Sequence, residues 1–103
     1  MQPAAVEQGF VVRSYREMTH EIWEDKDRTK LRDNRKVFKL FREGLEPLIQ
    51  EGRLGCVLLQ FPYFFLSNRD NFDYLQRCRD SLAGVDAVVE FRNRSWVKER
   101  TFE

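Results

Sequence analysis

The sequence predicts a parallel α/β protein, and three observations carry that prediction. Short β-branched or apolar runs alternate with amphipathic helical patterns, the order that a parallel sheet with crossover helices requires. The central run, Leu54 to Phe61, is apolar almost throughout, as in a strand covered on both faces, and lacks the alternation of a half-solvated one. The 103 residues are about 42% hydrophobic and 34% charged with nine phenylalanines, which describes one small globular domain with real core material.

The elements follow in order. Phe10-Val11-Val12, ending in Arg13-Ser14, reads as a first strand over 10–14. The segment from Tyr15 to Asp33 is dense in charge of both signs and reads as a loop with at most a solvated helical turn. With few apolar anchors, it is expected to exchange its amides much faster than Leu54–Phe61. From 34 to 51 the pattern is helical, with Val37, Phe38, Phe41, Leu45, Leu48 and Ile49 on one stripe. Asp33 or Asn34 can cap its start, Gly52 can stop it, and Pro47 is expected to kink or restart it after Gly44. The second strand spans 54–61. Gly55, Pro62 and the shortness of the run exclude a buried helix there.

Ser67 and Asp70 then have the spacing of a capping box. Phe72, Leu75, Cys78 or Arg79, and Leu82 form the stripe of a second helix over 68–82, closed by Gly84. A third strand follows over 86–92, and Val97 to Glu103 reads as the opening of a further helix.

Composition excludes several classes of function. A formal net charge of +1 gives neither the basic field of a nucleic-acid binder nor an acidic one. No apolar run approaches the roughly 20 residues that span a bilayer, so no membrane partner is expected. Met1 to Gly9 has neither a charged nor an apolar region of secretory type. Cys56 and Cys78 are too far apart in sequence for a CxxC site. They read as small hydrophobic residues in a reducing compartment, which gives a cytoplasmic expectation. No Gly-rich phosphate loop, G-x-S-x-G elbow or H-E-x-x-H pair is present.

Three stretches carry a resemblance: Phe10-x-Val12-Arg13-Ser14-x-Arg16-x-x-Thr19-His20, Leu54-Gly55-x-Val57-Leu58-Leu59-Gln60-Phe61-Pro62, and Val89-Glu90-Phe91-Arg92-x-x-Ser95-Trp96. In this order and spacing they resemble the YecE-like family, a domain of unknown function, over nearly the whole chain from Phe10 onward. The resemblance implies a (β/α)8 barrel of TIM type with no established activity. The chain would supply about three consecutive strand–helix units of it, a partial barrel, since closure needs about 200 residues or more. The family usually carries Lys where this chain has Arg13, and a guanidinium cannot serve as a deprotonable amine.

In such barrels the site is built at the carboxyl ends of the strands. That rule selects Arg13, Gln60, Glu90 and Arg92, with Arg16, Thr19, His20 and Trp96 in the loops that follow. Glu90 and His20 are the catalytic candidates, a carboxylate and the only histidine, both suited to acid/base work. Arg13, Arg16 and Arg92 can hold a phosphate or carboxylate by paired N–H donors, against the plainer reading of a solvated basic rim. Glu90 and Arg92 share one face of their strand, either as acid/base beside an anion clamp or as a structural ion pair. Direct coupling between the two is expected. Gln60 either orients a ligand or bonds a neighbouring strand. Thr19 and Trp96 complete the substrate-binding candidates, Trp96 as a stacking platform or as packing for its loop. Tyr63, Phe64 and Phe65 either line the mouth or anchor a loop.

One histidine and one glutamate are too few for a metal site, and no cofactor is indicated. The best reading is a barrel enzyme acting on a small anionic or polyhydroxylated substrate. The alternatives are a non-catalytic barrel holding a ligand or a nucleic-acid segment, and an inactive fragment. The isolated chain is expected to self-associate.

Overall fold

The structure is a computed structural model and describes residues 9–97. The helix opening expected from Val97 onward lies mostly outside the described residues. A three-stranded parallel sheet, in the order β1-β2-β3, comprises β1 (Phe10–Arg13), β2 (Leu54–Phe61) and β3 (Ala87–Phe91). Between β1 and β2 lie a single turn of helix, α1 (Arg16–Thr19), and a long helix, α2 (Arg35–Gln50). Helix α3 (Arg69–Ser81) joins β2 to β3, and a 3-10 turn (Arg94–Val97) follows. In register, Val12 lies beside Val57 and Arg13 beside Leu58, while Gln60 lies beside Glu90 and Phe61 beside Phe91. A residue at Gly9 cannot carry a side chain. Its backbone is left-handed at φ 132°, and a Cβ would overlap the Arg53 carbonyl, which accepts the Phe10 N–H at 2.7 Å.

The pleat sorts β2 into two faces. Val57, Leu59 and Phe61 are buried against the helices, while Cys56, Leu58 and Gln60 are half-buried on the open face. Helix α2 buries Phe38, Phe41 and Leu45, the centre of its expected stripe. Pro47 does not break it: the helix runs unbroken from Arg35 to Gln50. Proline there removes one N–H only in the last turns, where little helix remains to disrupt.

Two expectations about α3 are corrected. Of its expected stripe, Cys78 and Leu82 are buried and Leu75 packs against the core, but Phe72 points outward, and Asn71 and Tyr74 are buried in its place. The cap is Asn68 rather than Ser67: its Oδ1 accepts the Asn71 N–H at 2.8 Å. The Ser67 N–H instead donates to Ser95 Oγ at 2.9 Å. At the start of α2 the Asn34 side chain makes no cap, and Asp33 Oδ1 takes the Arg35 N–H at 3.2 Å. The Arg35 guanidinium holds the Asp33 carboxyl down to about 2.

The charged segment is anchored, contrary to the expectation of few apolar contacts. Met18 and Ile22 are fully buried and Trp23 nearly so. Arg32 donates to the Trp23 carbonyl at 3.1 and 2.8 Å, and the backbones of Trp23 and Leu31 bridge antiparallel. The tip, from Lys26 to Thr29, is exposed. There the Asp25 carboxylate accepts the Thr29 and Lys30 N–H groups, and Arg28 turns the chain at φ 57°. Native-state hydrogen exchange should therefore split this segment. Amides of Lys26 and Asp27 should exchange fast, and the Arg32 N–H, bonded to the Ile22 carbonyl at 2.9 Å, should be protected like those of β2. Uniformly fast exchange from Glu21 to Arg32 would contradict the anchoring.

Aromatic rings dominate the core beyond the carboxyl ends of the strands. Phe65 stacks on Phe61 with centroids 4.2 Å apart, and Trp96 stacks on Phe91 at 4.6 Å and on Phe65 at 5.3 Å. Cys78 belongs to this core, and burial pushes its thiol up to about 12, so it is an inert packing residue. Among the described residues, no helix is long and apolar enough to cross a membrane.

Candidate functional site

The carboxyl ends of the strands and the loops after them enclose a pocket of about 240 Å³. Its lining comprises Arg13 and Ser14 at the end of β1, Arg16, Thr19 and His20 on and after α1, Leu58 and Gln60 on β2, and Arg92 just beyond β3. Alternation explains the strand contribution. Arg13, Leu58 and Gln60 all point to the face opposite the helices, and Arg92 follows Phe91, which packs against the core on the helix side. Six of the eight expected site residues thus come together: Arg13, Arg16, Thr19, His20, Gln60 and Arg92. Ser14 and Leu58 were not singled out from sequence. Ser14 was legible by the same strand-end rule, and Leu58 by sharing the face of Gln60.

Glu90 stands one contact away. Its Oε1 accepts a hydrogen bond from Gln60 Nε2 at 2.9 Å across the β2–β3 ladder. Among the described residues no ion pair joins Glu90 to Arg92. The expected direct coupling of those two charges is therefore replaced by an amide–carboxylate bond. Residues two apart on a strand share a face but splay along it, and Gln60 lies directly opposite Glu90. Gln60 thus bonds its neighbouring strand and still lines the pocket.

Of the two readings of Trp96, the structure shows packing of the loop and not a stacking platform. The 3-10 turn carries it to the helix side, where it is fully buried and its indole N–H donates to the Phe65 carbonyl at 2.7 Å. It packs the loop and offers no face to a ligand. The aromatic run after Pro62 splits. Phe65 is core, Tyr63 is 71% exposed, and Phe64 is half-buried with the Arg28 guanidinium 3.9 Å above its ring. The Phe64 ring also meets His20 edge-on, with centroids 6.5 Å apart.

The electrostatics of the pocket are cationic. Arg16 is shared with the exposed Glu21, its Nε donating at 3.0 Å. Among the described residues Arg13 and Arg92 have no carboxylate partner. His20 is held below the ordinary histidine value, first by burial and then by Arg16 and Arg92, with Glu21 opposing. Its imidazole is therefore neutral at neutral pH and available to accept a proton. The Thr19 hydroxyl lies 2.8 Å from His20 Nδ1. In the tautomer whose Nδ1–H donates to the Thr19 oxygen, Nε2 keeps the free lone pair that can take a proton. Among the described residues, no cluster of three or more His, Cys, Asp or Glu side chains is placed to hold a metal ion.

Fold and pocket together define a class: an α/β protein with a parallel sheet and a cation-lined pocket at the carboxyl ends of its strands. The chain belongs to the DUF72 family, described as a protein of unknown function, whose model matches residues 4–103. It is 33% identical over 95 residues to UPF0759 protein YunF of Bacillus subtilis (strain 168), covering 91% of this chain and 32% of that protein. Among solved structures it resembles a DUF72 family protein from Thermotoga maritima MSB8, with 35% identity and a TM-score of 0.78, over 91% of this chain and 34% of that one. A DUF72 family protein from Enterococcus faecalis V583 matches with 26% identity and a TM-score of 0.74, over 91% and 33%. The chain thus spans about a third of the length of the relatives it matches. The family is one of unknown function, as the resemblance implied, and DUF72 is the name under which it matches.

Proposed function

We propose that this pocket binds the anionic group of a small substrate in a barrel enzyme, and that His20 exchanges a proton with that substrate. The observation that carries the reading is the convergence of Arg13, Arg16 and Arg92 on one pocket together with a neutral histidine. Guanidinium groups present paired donors that match phosphate and carboxylate geometry. Placement at the carboxyl ends of parallel strands is where α/β sheets bind their ligands. In this reading Glu90 steers the Gln60 amide and stands as a carboxylate beside the pocket. The remaining strands of a (β/α)8 barrel would come from outside this chain and complete the walls.

Sulfate is a suitable probe because its charge stays constant across the useful pH range. It should bind the full-length protein, more weakly as salt rises. Arg92→Gln should weaken binding about tenfold or more, the scale of a lost charge-assisted hydrogen bond. The pH dependence has a definite sign. His20 titrates below its ordinary value in the free protein, and a bound dianion raises it. Affinity should therefore rise as pH falls through the bound-state value and level off below the free-state value, and His20→Gln should flatten that profile. Calorimetric titration showing no sulfate binding, or binding indifferent to Arg92→Gln, overturns the proposal.

A further inference from the structure

We propose that Tyr74 and Asn34, neither of which lines the pocket, are positioning residues that cap α1 from outside and so fix Thr19 and His20 at the pocket wall. The proposal rests on the reading of this pocket as the site. Helix α1 is a single turn of four residues with no side-chain cap at its start. A turn that short has no stability of its own. Its final carbonyls have no partner within the helix and need donors from elsewhere.

The following residues and two distant side chains supply those donors. The Arg16 carbonyl accepts the His20 and Glu21 N–H groups at 2.7 and 2.9 Å. The Glu17 carbonyl accepts from Asn34 Nδ2 at 3.1 Å, and the Met18 carbonyl accepts from the Tyr74 hydroxyl at 2.6 Å. Asn34 Nδ2 also donates to the Tyr74 oxygen at 2.9 Å, which joins the two donors into one unit. Tyr74 reaches 56 residues back along the chain, from α3, and Asn34 stands at the start of α2. Both are almost fully buried.

Neither group is explained by packing alone. Asn34 Oδ1 is buried without a hydrogen-bond partner. The Asn34 amide makes two donated bonds, both of which serve α1 or its tyrosine. Burial pushes the Tyr74 phenol well up, so it stays protonated and remains a donor at every working pH. The residue after Met18 is Thr19, whose hydroxyl holds His20 Nδ1, so the carbonyl that Tyr74 grips is next to the atoms that orient the imidazole.

The test is Tyr74→Phe in the full-length protein, which keeps the ring contacts to Phe61 and Phe65 and removes only the hydroxyl. Sulfate affinity should fall roughly fivefold, the scale of one hydrogen bond. The His20 titration, followed by NMR of the ring, should move up towards the ordinary histidine value as α1 loosens and its burial is lost. Asn34→Ala should act in the same direction. A lower melting temperature with unchanged affinity and unchanged His20 titration shows a purely structural role and overturns the proposal. Absent sulfate binding in the unmodified protein sinks the anion reading instead, while the His20 titration still decides the clamp. Should both variants fail to fold, exchange of the His20 and Glu21 amides in the unmodified protein decides. Protection comparable to α2 is expected, and exchange as fast as an exposed turn overturns the clamp.

Discussion

Replacing Phe65 by alanine in the full-length protein is expected to cost about 3–5 kcal/mol of stability, the range for deleting a buried aromatic ring. The residue lies in the loop after β2, where substitutions are ordinarily mild, but it is fully buried. Its ring stacks on both Phe61 and Trp96, and lies 6.2 Å from Trp23 and 6.3 Å from Tyr74 between centroids. These neighbours come from β2, the charged segment after β1, α3 and the 3-10 turn, so a void left there has no single element that can move to fill it. Each stacked pair also contributes beyond its area. Two residues earlier, Tyr63 is 71% exposed, and Tyr63→Ala should stay within about 0.5 kcal/mol. Urea unfolding of the two variants checks the contrast. A Phe65→Ala loss below about 1 kcal/mol would show that this ring is not the centre of the core.

That pair of residues also shows where sequence is legible and where it is not. The two-residue pleat of β2 separates Val57, Leu59 and Phe61 from Leu58 and Gln60, because alternation is a local property of the backbone. The same rule brought Arg13, Gln60 and Arg92 to one pocket. What failed depended on contacts distant in sequence. Phe72 outranks Tyr74 as a hydrophobic residue, yet Tyr74 is buried because its hydroxyl finds the Met18 carbonyl. Met18, Ile22 and Trp23 look isolated among charges, and only the folded chain shows that α3 and the loop after β2 close over them. Trp96 follows a strand end as the ligand-facing residues do. The side to which a 3-10 turn rotates it is set by the Phe65 carbonyl 31 residues away, which no local pattern encodes.

The second large effect concerns the 103-residue chain on its own, which should self-associate. The order β1-β2-β3 leaves β1 and β3 each with an unpaired edge of backbone donors and acceptors. Both outer strands also expose apolar side chains: Phe10 and Val11 are 51% and 57% exposed, and Val88 and Val89 are 49% and 39% exposed. On the helix side, an apolar groove of about 460 Å³ runs between α3 and β3, lined by Leu59, Leu75, Leu82, Val85 and Val89 among others. Full burial of such a side chain contributes roughly 1.5–3 kcal/mol, so four half-covered ones forgo several kcal/mol. A domain's whole stability is about 5–15 kcal/mol, and that loss is large against it. Pairing two copies edge to edge recovers both the hydrogen bonds and the apolar area. In longer relatives, the same edges and groove would be met by further elements of the one chain. Sedimentation velocity over a range of concentrations should show species larger than a monomer, and thermal unfolding should shift with concentration. The arrangement makes a second demand: substituting Val11 and Val88 by lysine should suppress the association, since charge on an edge strand opposes pairing. A monomer that melts sharply at a temperature independent of concentration would show that these three strands and their helices are sufficient in themselves, and that neither edge needs a partner.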